Sequence, residues 1–417
     1  MTLVIRNARV LTLAGDPVRR GSAMGELGVV DPGDVVVDEQ GVIAEVRAHD
    51  STAPAPAGAA VLEARGRLCM PAFVDCHTHA CWAGDRLDEW EAKQRGATYL
   101  ELLKAGGGIM STVRAVRSAS EDELVEGLLA RLEFMLREGT TTVEVKSGYG
   151  LTTADELKML RAIRRAGERW AGTVIPTACI GHALDPEVER DQFVRRTVEE
   201  TLPAVHVEFP DAAVDAYCEE GAWSLAECLR LFDRAAELGH VCRVHADQFN
   251  ALGMTEAAVG RGFRSVDHLE ATGAESLRRL AASDTFGVML PCSGFHTDGR
   301  YADGRGFIEA GGALAIATNC NPGSAPTASM PMAIALATRF CGGGAASNCA
   351  RGISSAEAIC AATVNGAAVL GLRDRGRITP GARADLVLLR HSDERMLGQE
   401  FGGRHVDVVV CAGRVVG

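Results

Sequence analysis

Two histidines one residue apart, His77 and His79, follow the apolar run that begins at Met70, and two more, His245 and His268, end separate apolar runs further along the chain. Alternate side chains of an extended strand share a face, so a His-x-His pair presents two imidazoles to one point. Neutral imidazole nitrogen is a ligand for divalent transition ions. Such an ion lowers the pKa of bound water from about 15.7 to about 7, which makes hydroxide available at neutral pH. An isolated pair of histidines is as readily two surface side chains. Repetition at the ends of independent runs makes coincidence a poor account. Other polar residues gather at the same places: Asp75-Cys76-His77-Thr78-His79, His245-Ala246-Asp247-Gln248, Asp267-His268-Leu269-Glu270 and Thr318-Asn319-Cys320-Asn321. Metal-assisted hydrolysis is the chemistry these residue types can perform together.

A fold that gathers strand ends is needed to bring the clusters to one mouth. Eight apolar, β-branched runs alternate with helical periods: Met70 to Cys76, Thr140 to Lys146, Thr173 to Ile180, Val214 to Cys218, Val241 to Ala246, Arg264 to His268, Phe286 to Pro291 and Ala313 to Thr318. This alternation predicts parallel strands joined by crossover helices. Capping-box patterns start helices at Ser120 to Glu123, Thr153 to Glu156 and Ser224 to Glu227, and Gly139 and Gly239 stand where helices stop. The size fits an α/β chain of the (β/α)8 TIM-barrel class, whose active-site groups lie at the carboxyl ends of the strands. The first 68 residues and the last 43 read instead as short strands, with a hairpin turning at Glu39-Gln40-Gly41. The expected organisation is a catalytic barrel over residues 69–374 and a small β-sandwich domain composed of residues 1–68 and 375–417.

The 417 residues are 47% hydrophobic, which excludes a disordered chain. Forty-three Lys+Arg against 55 Asp+Glu leave a net charge of −12, which repels phosphate backbones and anionic lipid, so no nucleic acid and no membrane partner is expected. Thirteen cysteines without a Cys-x-x-Cys spacing argue against a disulfide framework. No basic segment followed by an apolar core opens the chain, and no apolar run approaches the ~18 residues of a membrane span. A cytoplasmic protein with a small-molecule substrate is the expectation.

Several motifs extend the metal pattern: Met70-Pro71-Ala72-Phe73-Val74-Asp75-Cys76-His77-Thr78-His79, Ala83-Gly84-Asp85-Arg86, Gly96-Ala97-Thr98-Tyr99, Lys104-Ala105-Gly106-Gly107-Gly108-Ile109, Val143 to Leu151 and Asn321-Pro322-Gly323-Ser324. Over nearly the whole chain these residues resemble the metal-dependent amidohydrolases and, within them, the imidazolonepropionase family of histidine degradation. The resemblance implies that His77, His79 and His245 bind one zinc or iron ion, with Asn319 at a further ligand position. It implies that His268 stands beside the catalytic water and that Arg86, Tyr99, Tyr149, His182, Asn321 and Gly323 hold the substrate. It also implies a homodimer. Arg86 can pair with Asp85 or Asp88 on a solvated surface, but beside a metal mouth its guanidinium is shaped for a propionate carboxylate. The glycines flanking Tyr149 allow backbone to approach a ligand. Cys292 and Cys320 are expected as buried small hydrophobes, and Tyr217-Cys218-Glu219-Glu220 as a source of a carboxylate at the mouth.

Two positions depart from the family pattern. Asn319 stands where the family has an aspartate, and Gln248 where it has a glutamate after His-Ala-Asp. Both amides keep the shape and remove a titratable group, so Asn319 can offer its carbonyl oxygen but cannot serve as a general base. With Gln248 and Asn319 neutral, His268 is the expected proton acceptor. The expected reaction is hydrolytic attack on the ring carbon between the two nitrogens of an imidazolone propionate. Sulfur leaves as an anion without needing an acid, which raises the alternative of a 2-thio or methylthio imidazolone propionate that releases hydrosulfide or a thiol. An inactive ligand-binding scaffold is the second alternative.

Overall fold

The computed structural model describes residues 2–96, 107–342 and 352–416. Eight parallel strands follow one another in sequence order around one sheet: Phe73–Asp75, Thr140–Lys146, Thr173–Gly181, Ala213–Cys218, Arg243–Ala246, Ser265–His268, Phe286–Met289 and Leu314–Ile316, the first to eighth barrel strands. The gap between the first and eighth is closed by residues just past their carboxyl ends. The Asn319 N–H donates to His77 O at 3.1 Å and the His79 N–H to Cys320 O at 3.0 Å. Asp75 accepts from the Thr318 N–H at 3.1 Å and from the Thr318 hydroxyl. The barrel is thus sewn shut at the height of the predicted metal site.

The second strand, Thr140–Lys146, is buried along its whole length, and its alternation shows how the barrel is layered. Val143 and Val145 join the main apolar core, whereas Glu144 and Lys146 reach across the interior to residues of the fourth and fifth strands. The helices cover the outer face with periodic apolar stripes. On Leu225–Glu237 the buried residues are Cys228, Leu231, Phe232 and Ala235, which recur at helical spacing. At the amino-terminal end of the barrel, Arg375 donates to Thr142 Oγ1 at 3.1 Å and Thr173 Oγ1 at 2.8 Å.

The terminal segments form a mixed eight-stranded sheet. Val29–Val37 runs antiparallel beside Leu3–Leu11, and Ile43–Ala48 antiparallel beside Val29–Val37; Ala60–Glu63 and Leu68–Pro71 run parallel to Leu3–Leu11; Leu386–Leu389, Val406–Cys411 and Arg414–Val415 continue from Leu68–Pro71. The hairpin pairs Val37 with Ile43 around the expected turn, where Asp38 Oδ1 accepts from the Gln40 and Val42 N–H groups. The only helical piece described in the first 68 residues is the short turn Gly21–Gly25. Among the described residues every cysteine is a buried free thiol, and no helix is long and apolar enough to cross a membrane.

Three of the element bounds that differ from the sequence reading have a clear physical reason. The run from Met70 to Cys76 divides between two sheets, because Pro71 has no N–H with which to extend a ladder and stands at the changeover. The seventh strand ends at Met289, and Pro291 opens a helix instead, a position where its missing N–H costs nothing. The helix predicted to be capped by Thr153 with Glu156 starts one residue earlier: the Thr152 hydroxyl accepts from the Asp155 N–H, an equivalent pattern displaced by one. Glu156 is then free to turn inward. It accepts from Gly148, Gly150 and Leu151 N–H groups at 2.8–2.9 Å and fixes the loop after the second strand. The boxes at Ser120 and Ser224 form as expected.

Gly139 joins the two sheets at close quarters. It ends the helix Glu121–Arg137 with φ of 92°, and a Cβ there would lie 2.9 Å from Val406, 3.0 Å from Val387 and 3.2 Å from Phe73. Gly139→Ala is expected to lower stability by about 2 kcal/mol, through the left-handed backbone and the crowding together. A fall in the urea midpoint at unchanged m-value would show it. A variant as stable as the parent would mean that the two sheets separate there at no cost.

Candidate active site and metal centre

His77 and His79 sit just beyond the first strand and His245 lies within the fifth, and one nitrogen from each lies within 4.8 Å of the others. The tautomers of His77 and His245 are set from behind. His77 Nδ1 lies 2.6 Å from Asp267 Oδ2, and His245 Nδ1 lies 2.9 Å from Asp215 Oδ1. A carboxylate only accepts, so each Nδ1 carries the proton and each Nε2 presents a lone pair. His77 Nε2 is buried without a hydrogen-bond partner, and His79 Nε2 faces His245 Nε2 at 3.0 Å. Burial, reinforced by Lys146 at His77 and by His182 at His79, drives both imidazoles well below their usual range; burial also lowers His245 against the pull of Asp215. Neutral imidazoles aimed at one another are costly alone and suited to a cation between them. Asn319 adds a buried, unpartnered Oδ1, and its N–H is tied to His77 O, so these residues fit a metal ion.

Beneath the imidazoles runs a buried ionic network that the sequence reading missed. Lys146 Nζ bonds Glu144 and Asp215, each at 2.7 Å. Arg243 bonds Glu144 at 3.2 Å and Asp267 at 2.8 Å. Burial and Arg243 press the Lys146 pKa down, and Asp215, Glu144 and Asp267 more than reverse this, so the ammonium stays charged. Each imidazole-orienting carboxylate is therefore itself held by a cation. The available signal was the two-residue spacing of Glu144 with Lys146 and of Arg243 with His245, which puts each pair on one strand face.

His268 ends the sixth strand with φ of 94°, and its ring centre lies 5.6 Å from His245 and 6.1 Å from His77. It stands beside the three-nitrogen cluster and outside it, with Nδ1 3.2 Å from Glu270 Oε1. Asp247 and Asn319 also have positive φ, at 56° each. Left-handed backbone in non-glycine residues at three strand ends holds side chains where an extended chain would not put them. Gln248 is fixed by the Tyr217 hydroxyl, which donates to Oε1 at 2.8 Å.

Around this centre the predicted substrate residues divide. His182 stacks on His79 at 4.5 Å, and Tyr149 lies against both, 5.3 Å from His182 and 6.0 Å from His79. Burial pulls the His182 pKa down to about 3 and pushes the Tyr149 phenol up, so both rings are neutral. The flanking glycines answer to the protein itself: a Cβ on Gly148 would strike His182 and Cys179 O, and one on Gly150 the backbone at Asp155 and Glu156. Arg86 pairs with Glu89 at 2.6 Å, one helical turn on, and with neither Asp85 nor Asp88; Asp85 is engaged with the Leu87 N–H. Its guanidinium lies over Gly323 and lines a cavity of about 480 Å³ with Trp82, Trp90, His296 and Pro322, on the segments that follow the first, seventh and eighth strands. Asn321 spends its side chain on the loop, donating to Asn319 O at 2.6 Å and accepting from Gly323 and Ser324 N–H groups. Tyr99 lies outside the described residues. Glu219 supplies no free carboxylate to the mouth: it accepts from Phe249 and Asn250 N–H groups and from the Asn250 amide, and so anchors the loop after Gln248. Cys292 and Cys320 are buried, and burial pushes the Cys320 thiol up to about 12, so they pack as thiols.

A sequence profile of the amidohydrolase family matches residues 68–416. The imidazolonepropionase of Herpetosiphon aurantiacus is 42% identical over 427 residues, covering 99% of this chain and 96% of the relative. That of Deinococcus radiodurans is 42% identical, covering 95% and 94%. The crystal structure of an atrazine chlorohydrolase from Arthrobacter aurescens, complexed with zinc, superposes with a TM-score of 0.70 at 16% identity, covering 99% of this chain and 94% of that one, a likeness of fold. With this profile and these identities, the chain belongs to the amidohydrolase family of metal-dependent hydrolases and, within it, to the imidazolonepropionase family.

Proposed function

We propose that the chain hydrolyses imidazolone propionate, opening the ring at a carbon–nitrogen bond. The observation that carries this reading is the convergence of three imidazoles, two of them backed by carboxylates, at the barrel end where Arg86 lines a substrate-sized cavity. The relatives' shared name supports the plain ring as substrate, and neither the sulfur-releasing reading nor the inactive scaffold draws support from them. The reading includes zinc or iron as the ion, a cytoplasmic homodimer, and domains divided after residues 68 and 374, on the strength of the resemblance and the sequence pattern.

His77, His79 and His245 hold the ion, with Asn319 Oδ1 as a further donor. When bound, the ion supplies Lewis acidity and water of lowered pKa. His268, oriented by Glu270, takes the proton from water and returns it to the ring nitrogen whose bond to the attacked carbon breaks. Asn319 and Gln248 orient and accept no proton. Tyr149 and His182 wall the ring as neutral groups, and Tyr99 belongs to the same proposed wall. Arg86 receives the propionate carboxylate, which displaces or shares its bond to Glu89. Asn321 acts through the loop it ties down, placing Gly323 beneath the guanidinium.

Replacing His77, His79 or His245 with alanine is expected to abolish both metal content and turnover; full metal content in any variant would remove that residue from the ligand set. Arg86→Ala should weaken carboxylate-bearing substrates by ~2–4 kcal/mol relative to analogues without the carboxylate. Equal losses for both would place the clamp elsewhere. The purified chain should open plain imidazolone propionate faster than its 2-thio analogue. Asn319→Asp combined with Gln248→Glu should raise that rate, towards the ~10²–10⁴ that positioned acid–base groups supply. Preference of the unmodified chain for the sulfur compound, with release of hydrosulfide, would overturn the plain-ring assignment.

A further inference from the structure

A second group of metal-ligand side chains lies in the terminal sheet and shares no residue with the barrel centre. His391 follows the strand Leu386–Leu389, Glu400 ends the short helix Arg395–Gln399, and His405 precedes the strand Val406–Cys411. His391 Nε2 is 2.8 Å from Glu400 Oε2, His405 Nδ1 is 3.9 Å from the same oxygen, and the two ring centres are 5.6 Å apart. One donor atom from each residue lies within 4.8 Å of the other two.

All three of these atoms are buried, and none makes a hydrogen bond. The His405 side chain is only 2% exposed, so solvent does not serve its Nδ1. Ion pairing through protonated rings would aim an N–H at the carboxylate, which the hydrogen-bonding geometry around Oε2 does not show. The carboxylate is oriented for this role: its other oxygen is held by Arg390, and a Cβ at Gly403 would collide with it, so the absence of a side chain there leaves it room. The histidine backbones are fixed as well, by Leu68 N–H to His391 O at 2.8 Å and Arg390 N–H to His405 O at 3.0 Å.

Two imidazole nitrogens and one carboxylate oxygen suit a zinc-class divalent ion; calcium and magnesium take oxygen donors. We infer that His391, Glu400 and His405 form a second, structural zinc-class site that pins the segment between the last two long strands to the sheet. The helix it anchors is gripped from the other side by Arg339, which donates to Gly398 O and Gln399 O. A bound ion there would fasten the terminal sheet to the barrel helix Met330–Phe340.

The test is a titration of the full-length, chelator-stripped chain with zinc ions alone, followed by metal analysis. The parent should bind about two equivalents, and His391→Ala with His405→Ala about one, with hydrolase activity kept. His77→Ala with His245→Ala should retain about one equivalent and still gain thermal stability on zinc addition, which separates this site from the barrel centre. Glu400→Gln, a milder change, should weaken that retained binding at least tenfold. Unchanged stoichiometry on loss of His391 and His405, or no binding by the chain lacking His77 and His245, would overturn the assignment.

Discussion

The buried charge network of Lys146, Arg243, Glu144, Asp215 and Asp267 is the constraint on which the centre depends. Carboxylates set the tautomers of His77 and His245, and an unpaired carboxylate at that depth would protonate or draw in water. Lys146 pairs with Asp215 and Arg243 with Asp267, so the carboxylates stay in place and the lone pairs stay aimed at one point. Removing one member leaves its partner as an uncompensated buried charge, a loss of about 3–5 kcal/mol in comparable cases. These are interactions of precision more than of net stability. An apolar interior of equal volume would fold a barrel but orient no imidazole.

The same layer explains the joining of the ends. The first strand is three residues long and the eighth is three, too short for a ladder of their own. Asp75 with Thr318 and the backbone bonds from Asn319 and His79 close the gap. Closure and placement of the imidazole cluster are thus one event: the residues that seal the barrel are the neighbours of the clustered histidines. Positive φ at Asp247, His268 and Asn319 marks the places where the chain leaves the strand geometry to do so.

Local pattern made much of this legible. The second strand was readable to its ends, because a strand buried on both faces shows a β-branched run between a helix-stopping glycine and a polar loop. His77 and His79 announced themselves by alternation. What was hidden depended on partners distant in sequence. That Lys146 meets Asp215 follows from the second and fourth strands sharing the interior, and that Arg243 meets Asp267 from the pairing of the fifth and sixth strands, and no local spacing records either. Arg86 was read against its sequence neighbours and found Glu89, because a helix begins at Leu87 and brings the third residue on alongside. The Thr152 cap was missed because two overlapping patterns fit, and burial of Glu156 decided between them. His391 and His405 carry no motif spacing; the terminal sheet alone brings them together.

The charge balance of the interior bears on what Asn319 does. Two cations face three carboxylates beneath the imidazoles, an excess of negative charge that a divalent ion above them would offset. A carboxylate at position 319 would add to that excess and take up part of the ion's charge. Asn319 offers a neutral oxygen instead, so a bound ion keeps more of its polarising power over water while losing the adjacent proton acceptor. Gln248 fits the same division: its amide oxygen accepts from Tyr217, as a carboxylate would, but brings no charge and no proton affinity. In the proposed reaction polarisation is thereby left to the centre and proton transfer to His268 with Glu270, on a strand end whose left-handed backbone holds the ring beside the cluster.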